Sequence, residues 1–141
     1  MKRILVGVDG SKESRDAARF AAGIARAIEA QLIIASVVPG VAATEGAPEL
    51  VVRAEEWVQK EREQAAALVR EIAAFVDKGV VVETLVITGA PAVALADQAR
   101  AGDVEMVVVG HRGRNAVARA LLGSVADRLV QISPKPVLVV R

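Results

Sequence analysis

The chain has 141 residues, 53% of them hydrophobic and 25% charged, a balance that suits one globular core rather than a disordered segment. Eighteen Lys and Arg against seventeen Asp and Glu leave a net charge of +1, so no overall field favours nucleic acid or an anionic membrane. With aromatics at 2% and no cysteine, there is no stacking platform for single-stranded nucleic acid, and disulfides, thiol catalysis and thiolate zinc sites are excluded.

The first element is the apolar run "RILVGV" at 3–8, which reads as a strand closed by Asp9 and Gly10. It is too short for a signal peptide's apolar region, and no later run reaches the ~18 residues of a membrane span. A cytoplasmic protein with no membrane partner is the expectation. Ser11 is placed to cap a helix over about 12–29, with Ala17, Phe20, Ala21, Ile24, Ala25 and Ile28 at helical spacing on its core face. "QLIIASVV" at 31–38 is a second strand, and "PGVAATEGAP" at 39–48 is a loop that serves as a lid or a simple connection. A long helix over about 49–77 follows, with Val58, Ala65, Leu68, Val69, Ile72, Phe75 and Val76 inward and Gly79 just past its end. Trp57 reads as a packing residue of that helix, and Glu55, Glu56, Glu61 and Glu63 as its wet face. "GVVVETLVI" at 79–87 is a third strand, Pro91 suits the first turn of a helix ending near Gly102, and "VEMVVVG" at 104–110 is a fourth strand. A last helix starts after Gly123 and stops before "SPKP", whose prolines bar continuation, and "PVLVV" at 136–140 is the fifth strand.

Strands that are continuously apolar and alternate with helices specify an α/β fold: an open five-stranded parallel sheet with helices on both faces, in one domain spanning 1–141. Right-handed crossovers leave strand order 3-2-1-4-5 or 2-1-3-4-5. Ligands of such sheets bind beyond the carboxyl ends of the strands where the winding reverses. With order 3-2-1-4-5 that place lies between the strands ending at Asp9 and Gly110.

The chemistry concentrates in "GHRGRNAVARALLGS" at 110–124, where Gly110 and Gly113 are separated by two residues and Gly113 and Gly123 by nine, with Ser124 next. The spacing matches neither the Walker pattern nor the dinucleotide fingerprint. Its logic is nevertheless that of an anion site: glycines let backbone amides approach closely, and Ser124 adds a hydroxyl to the N–H groups of Val125 and its neighbours at a helix start. The plainer reading is a strand end, a turn and a capping serine. Arg112 between the glycines suits a bidentate phosphate contact or a carboxylate such as Asp127, while Arg114 and Arg119 are candidates for solvated charges. Asp9 is either a ligand contact or simply the residue that turns the chain into the first helix. His111 is the only histidine, which excludes a histidine metal cluster; without a Gly-x-Ser-x-Gly elbow it reads as an exposed loop residue.

"ILVGVDGS" and "VVVGHRGRNAVARALLGSVADRLVQISPKPVLVV" resemble the first strand and the Gly-x2-Gly-x9-Gly-Ser/Thr signature of the nucleotide-binding universal stress proteins, and the likeness runs through the whole chain. The resemblance implies a Rossmann-like sheet of order 3-2-1-4-5, of the kind shared with adenine nucleotide alpha hydrolases. It also implies ATP as ligand, with Mg²⁺ or Mn²⁺ carried on the phosphates, and a homodimer paired through 136–140. By the same resemblance Val8 and Asp9 lie at the ribose and adenine end, the backbone of Val37 meets the adenine edge, and Gly110 lies against the ribose. Arg112, Gly113, Gly123, Ser124 and Val125 surround the phosphates. His111 stands where the family usually has a small hydroxyl residue, which removes one phosphate or ribose contact. The implied function is a stress protein acting through nucleotide-dependent conformation or partner choice, with at most slow hydrolysis; the alternatives are a nucleotide-free dimeric module and a slow ATPase.

Overall fold

The computed structural model describes residues 2–40, 48–76, 79–101, 103–112 and 122–141. The elements run β1 (Arg3–Gly7), α1 (Lys12–Ala27), β2 (Gln31–Val38), α2 (Pro48–Phe75), β3 (Val82–Thr88), α3 (Pro91–Gln98), β4 (Val104–Gly110), α4 (Ser124–Ile132) and β5 (Val137–Val140). The sheet is parallel throughout, in the order β3-β2-β1-β4-β5. Of the two windings the alternation allows, the structure therefore has the one that reverses between β1 and β4. Register fixes the depth of that crevice: Leu5 pairs with Ile33 on one side and Val107 on the other, so β1, ending at Gly7, stops one residue short of the end of β4 at Gly110.

Successive strand residues point to opposite faces, and both faces are dry. Ile4, Val6, Leu32, Ile34 and Val108 meet Ala17, Ala21 and Ala25 of α1 and Val69 and Ile72 of α2. Leu5, Ile33, Val107 and Val109 meet Leu95 and Ala96 of α3 and Ala126 and Leu129 of α4. The small residues of α1 let the helix lie close on the sheet. They also shift its inner face: Ser14, Ala18 and Ala22 are buried, while Phe20 and Ile28, expected inside, are 54% and 44% exposed. Phe75 likewise turns outward and carries the guanidinium of Arg19 4.6 Å from its ring centroid. Trp57, expected to pack, is 52% exposed. Apolar periodicity alone over-assigned all four, because α1 and α2 each bury a narrower stripe than their apolar residues span.

Helix ends follow local chemistry. Ser11 caps α1, its hydroxyl accepting from the Ser14 N–H at 3.1 Å. α1 stops at Ala27 rather than 29, because Glu29 takes a left-handed conformation (φ 55°). The N–H groups of Glu29 and Ala30 then close back on the carbonyls of Arg26 and Ala25 at 3.3 and 2.8 Å. Pro91 opens α3 as expected. β3 begins at Val82 rather than 79, and its exposed Glu83 and Thr84 mark it as a sheet edge. Among the described residues no helix is long and apolar enough to cross a membrane.

At the amino-terminal end of the sheet, Arg3 of β1 bridges Asp103 (Nε to Oδ2 2.8 Å, Nη2 to Oδ1 2.9 Å) and Glu83 (3.3 Å). The hydrogen bond from Arg3 holds the Asp103 carboxyl below its ordinary value of 3.8. A lowered folded value means that the contribution is complete above the unfolded value and is lost as pH falls through the folded one. Asp103→Asn is expected to flatten the acid limb of stability below the ordinary carboxylate range. Urea midpoints of both proteins across that range check it, and parallel acid limbs would show that this pair is not responsible.

Candidate anion site at the winding reversal

The β1–α1 turn is built by three side chains. Asp9 Oδ1 accepts from the Ser11 N–H at 2.9 Å, which folds the turn. Gly10 takes φ 88°, a conformation that a side chain would strain. Ser14, buried on α1, accepts from the Asp9 N–H at 3.3 Å and donates to the Ser11 carbonyl at 3.0 Å. Asp9 is thereby fixed at the amino end of α1, where the helix dipole favours its charge. Sequence reasoning reached Asp9 and Ser11 but passed over Ser14. The available signal was a hydroxyl three residues after the cap, on the inner side of the helix.

Across the crevice, β4 ends at Gly110. A Cβ there would lie 2.8 Å from the carbonyl carbon of Glu13 and 2.9 Å from its oxygen, so this glycine admits the first turn of α1. The His111 N–H continues the sheet to the Val140 carbonyl at 2.8 Å, and the His111 carbonyl accepts from the Gly123 N–H at 2.6 Å. That second bond carries the start of α4 back to the end of β4. Gly123 is the N-cap, in an extended conformation (φ −67°, ψ 157°), and among the described residues no side chain caps the helix. Ser124 is the first helical residue, as the helix start after Gly123 implied, and is exposed; the plainer reading of it as the cap does not hold. The first intrahelical bond runs from the Asp127 N–H to the Gly123 carbonyl at 2.9 Å. The N–H groups of Ser124, Val125 and Ala126 therefore have no intrahelical acceptor.

The other expected residues fall into place unequally. Val8 is 4% exposed and buried with α1 and α2, its N–H bonded to the Ala35 carbonyl at 2.8 Å, so its side chain is core. Val37, near the end of β2, is half-buried against the α3–α4 layer, as is Val125. Arg112 donates through Nε to His111 Nε2 at 3.0 Å, and Asp127 accepts from Gln131 at 3.3 Å. His111 is thus half-buried and paired through its ring, not the exposed loop residue expected. Gly113, Arg114, Arg119, Gly102 and most of the 39–48 loop lie outside the described residues. Among the described residues no three His, Asp or Glu side chains gather to hold a metal.

The amino ends of two helices therefore meet where the winding reverses. One is satisfied internally by Asp9, Ser11 and Ser14, and the other has no side-chain acceptor among the described residues. The universal stress protein family model matches residues 1–141. Universal stress protein YxiE of Bacillus subtilis (strain 168) is 33% identical over 147 residues, spanning 99% of this chain and 98% of that protein. Among solved structures, universal stress protein UspA from Lactobacillus plantarum aligns with a TM-score of 0.79 at 23% identity, over 99% of this chain and 97% of that one. A universal stress protein in complex with cAMP aligns with a TM-score of 0.61 at 29% identity, over 99% and 96% of the two chains. The chain belongs to the universal stress protein family.

Proposed function

We propose that the chain is a single-domain adenine-nucleotide-binding protein, with ATP as the ligand, acting in stress response through nucleotide-dependent conformation or partner choice in the cytoplasm. The observation that carries the reading is the uncapped start of α4, tied by Gly123 to the end of β4 at the winding reversal. A family member 29% identical to this chain is in complex with cAMP, an adenine nucleotide with an anionic phosphate. In this reading the amides of Ser124 and Val125 take phosphate oxygens, with Gly113, Gly123 and Arg112 around them. Asp9, Gly110 and the backbones of Val8 and Val37 border the ribose and base. Mg²⁺ or Mn²⁺ enters with the triphosphate, its ligands mainly phosphate oxygens and water. The described residues present no positioned general base, so hydrolysis is slow or absent. The reading keeps nucleic acid and membranes out of the partner list. It gives β5, an apolar edge strand, a second copy of the chain as its cover.

Thermal unfolding with and without ATP and Mg²⁺ tests the ligand, with mass spectrometry of the purified protein for copurifying nucleotide. Free ligand at ~100 times the dissociation constant stabilises by about 2.7 kcal/mol when only the folded state binds. No shift at millimolar ATP or cAMP, and no copurifying nucleotide, would reject the reading in favour of a nucleotide-free dimeric module. Phosphate release over hours separates a slow ATPase from a binding protein.

A further inference from the structure

His111 directly follows β4, and both its backbone and its ring are engaged. Its backbone is pinned on both sides, the N–H by the Val140 carbonyl at 2.8 Å and the carbonyl by the Gly123 N–H at 2.6 Å. The imidazole therefore stands on a fixed base between β5 and the start of α4. Its Nε2 receives the Nε–H of Arg112 at 3.0 Å. An arginine Nε always carries hydrogen, so Nε2 must be the bare, accepting nitrogen and the ring proton must sit on Nδ1. Nδ1 is buried with no partner among the described residues, and it is unpartnered whichever nitrogen holds the proton. The bond from Arg112 alone therefore selects the tautomer. A protonated ring would lose the acceptor and set two cations 3.0 Å apart.

We propose that His111 is a positioning residue for Arg112: the neutral Nδ1–H imidazole holds the Nε edge of the guanidinium and so fixes its plane beside the start of α4. An arginine on a loop carries several rotatable bonds, and ordering it on binding costs affinity. A guanidinium already anchored through one edge spends less of that cost when it meets an anion. The proposal rests on the reading of this end of the sheet as an adenine-nucleotide site.

The chain holds one histidine, so long-range ¹H–¹⁵N correlation spectra contain one imidazole and report its tautomer directly. Wild type is expected as the Nδ1–H form, and Arg112→Leu as predominantly the Nε2–H form that free imidazole side chains prefer. Binding is then measured with cAMP, whose phosphate keeps its charge throughout the neutral range. His111→Phe is expected to weaken cAMP about tenfold. His111→Gln, whose side-chain oxygen reaches close to the Nε2 position, is expected to restore binding to within about threefold of wild type. In the Arg112→Leu background His111→Phe should add little, since the two residues act as one unit. An Nε2–H tautomer in wild type, or a His111→Phe protein that binds cAMP as wild type does, overturns the proposal alone. A wild-type protein with the Nδ1–H tautomer that binds neither cAMP nor ATP overturns the nucleotide reading, and with it the claim that the pair serves a ligand.

Discussion

Adding one methyl group at Gly110 is expected to destabilise the fold by about 2 kcal/mol, whereas the same change at Gly23 is expected to stabilise it by about 0.5–1 kcal/mol. The opposite signs come from what each new carbon meets. At Gly110 it would lie 2.8 Å from the carbonyl carbon of Glu13, a backbone atom in the first turn of α1, and nothing flexible is available to yield. That turn is itself held by Asp9, Ser11 and Ser14, so relief requires moving the whole amino end of the helix. At Gly23, in the middle of α1, a Cβ meets nothing within 4 Å, and alanine gains by restricting the unfolded chain. Urea unfolding of the two variants checks both signs. A Gly110→Ala protein as stable as wild type would mean that α1 does not lie against β4 as described. The result also governs how ligand data are read. A Gly110 variant that loses nucleotide does so through the displaced Asp9 turn as well as through any contact of its own.

Gly110 also illustrates what the sequence could and could not disclose. The sheet was legible because β-branched runs of strand length alternate with helical spacings. Asp9, Gly110 and Gly123 stood in the right relation to the switch point because strand order follows from few topological choices. The reason for Gly110 was not legible, since its neighbour Glu13 lies at the far end of the chain and nothing local marks the approach. Phe20 and Ile28 misled because their spacing is helical and apolar, while the sheet accepts only the alanine stripe beside them. The start of α4 after Gly123 was legible, although its cap chemistry was not. Serine is a preferred cap, yet the chain places glycine there and serine one residue later, which leaves the helix start without a side-chain acceptor. The pairing of His111 with Arg112 joins two adjacent residues, and no spacing rule covers adjacent side chains.

That missing cap supplies the second large effect. Gly123 has φ −67° and ψ 157°, values that any residue adopts, so its backbone conformation does not require glycine. Aspartate is a favoured N-cap, and at this position its carboxylate would accept from the amides of Val125 and Ala126 and meet the positive end of the helix dipole. Gly123→Asp is expected to gain a few tenths of a kcal/mol from the cap, set against the cost of a side chain at this buried position, so the comparison uses the variant once it is shown to be folded. It occupies the Val125 amide, one of the two donors that the proposed phosphate uses, and adds a negative charge facing it. Loss of that charge-assisted hydrogen bond, at about 1.5–3 kcal/mol, together with repulsion between the carboxylate and the phosphate, predicts a fall in nucleotide affinity of at least about tenfold. The thermal shift given by millimolar ATP in wild type should then shrink. Gly123→Asn separates the two causes, because it caps the helix without adding charge and should lose less affinity than the aspartate. Far-UV circular dichroism and urea midpoints establish that each variant is folded. A folded Gly123→Asp protein that binds ATP as wild type does would place the phosphates away from α4, since an anion cannot share the Val125 amide with a carboxylate already seated on it.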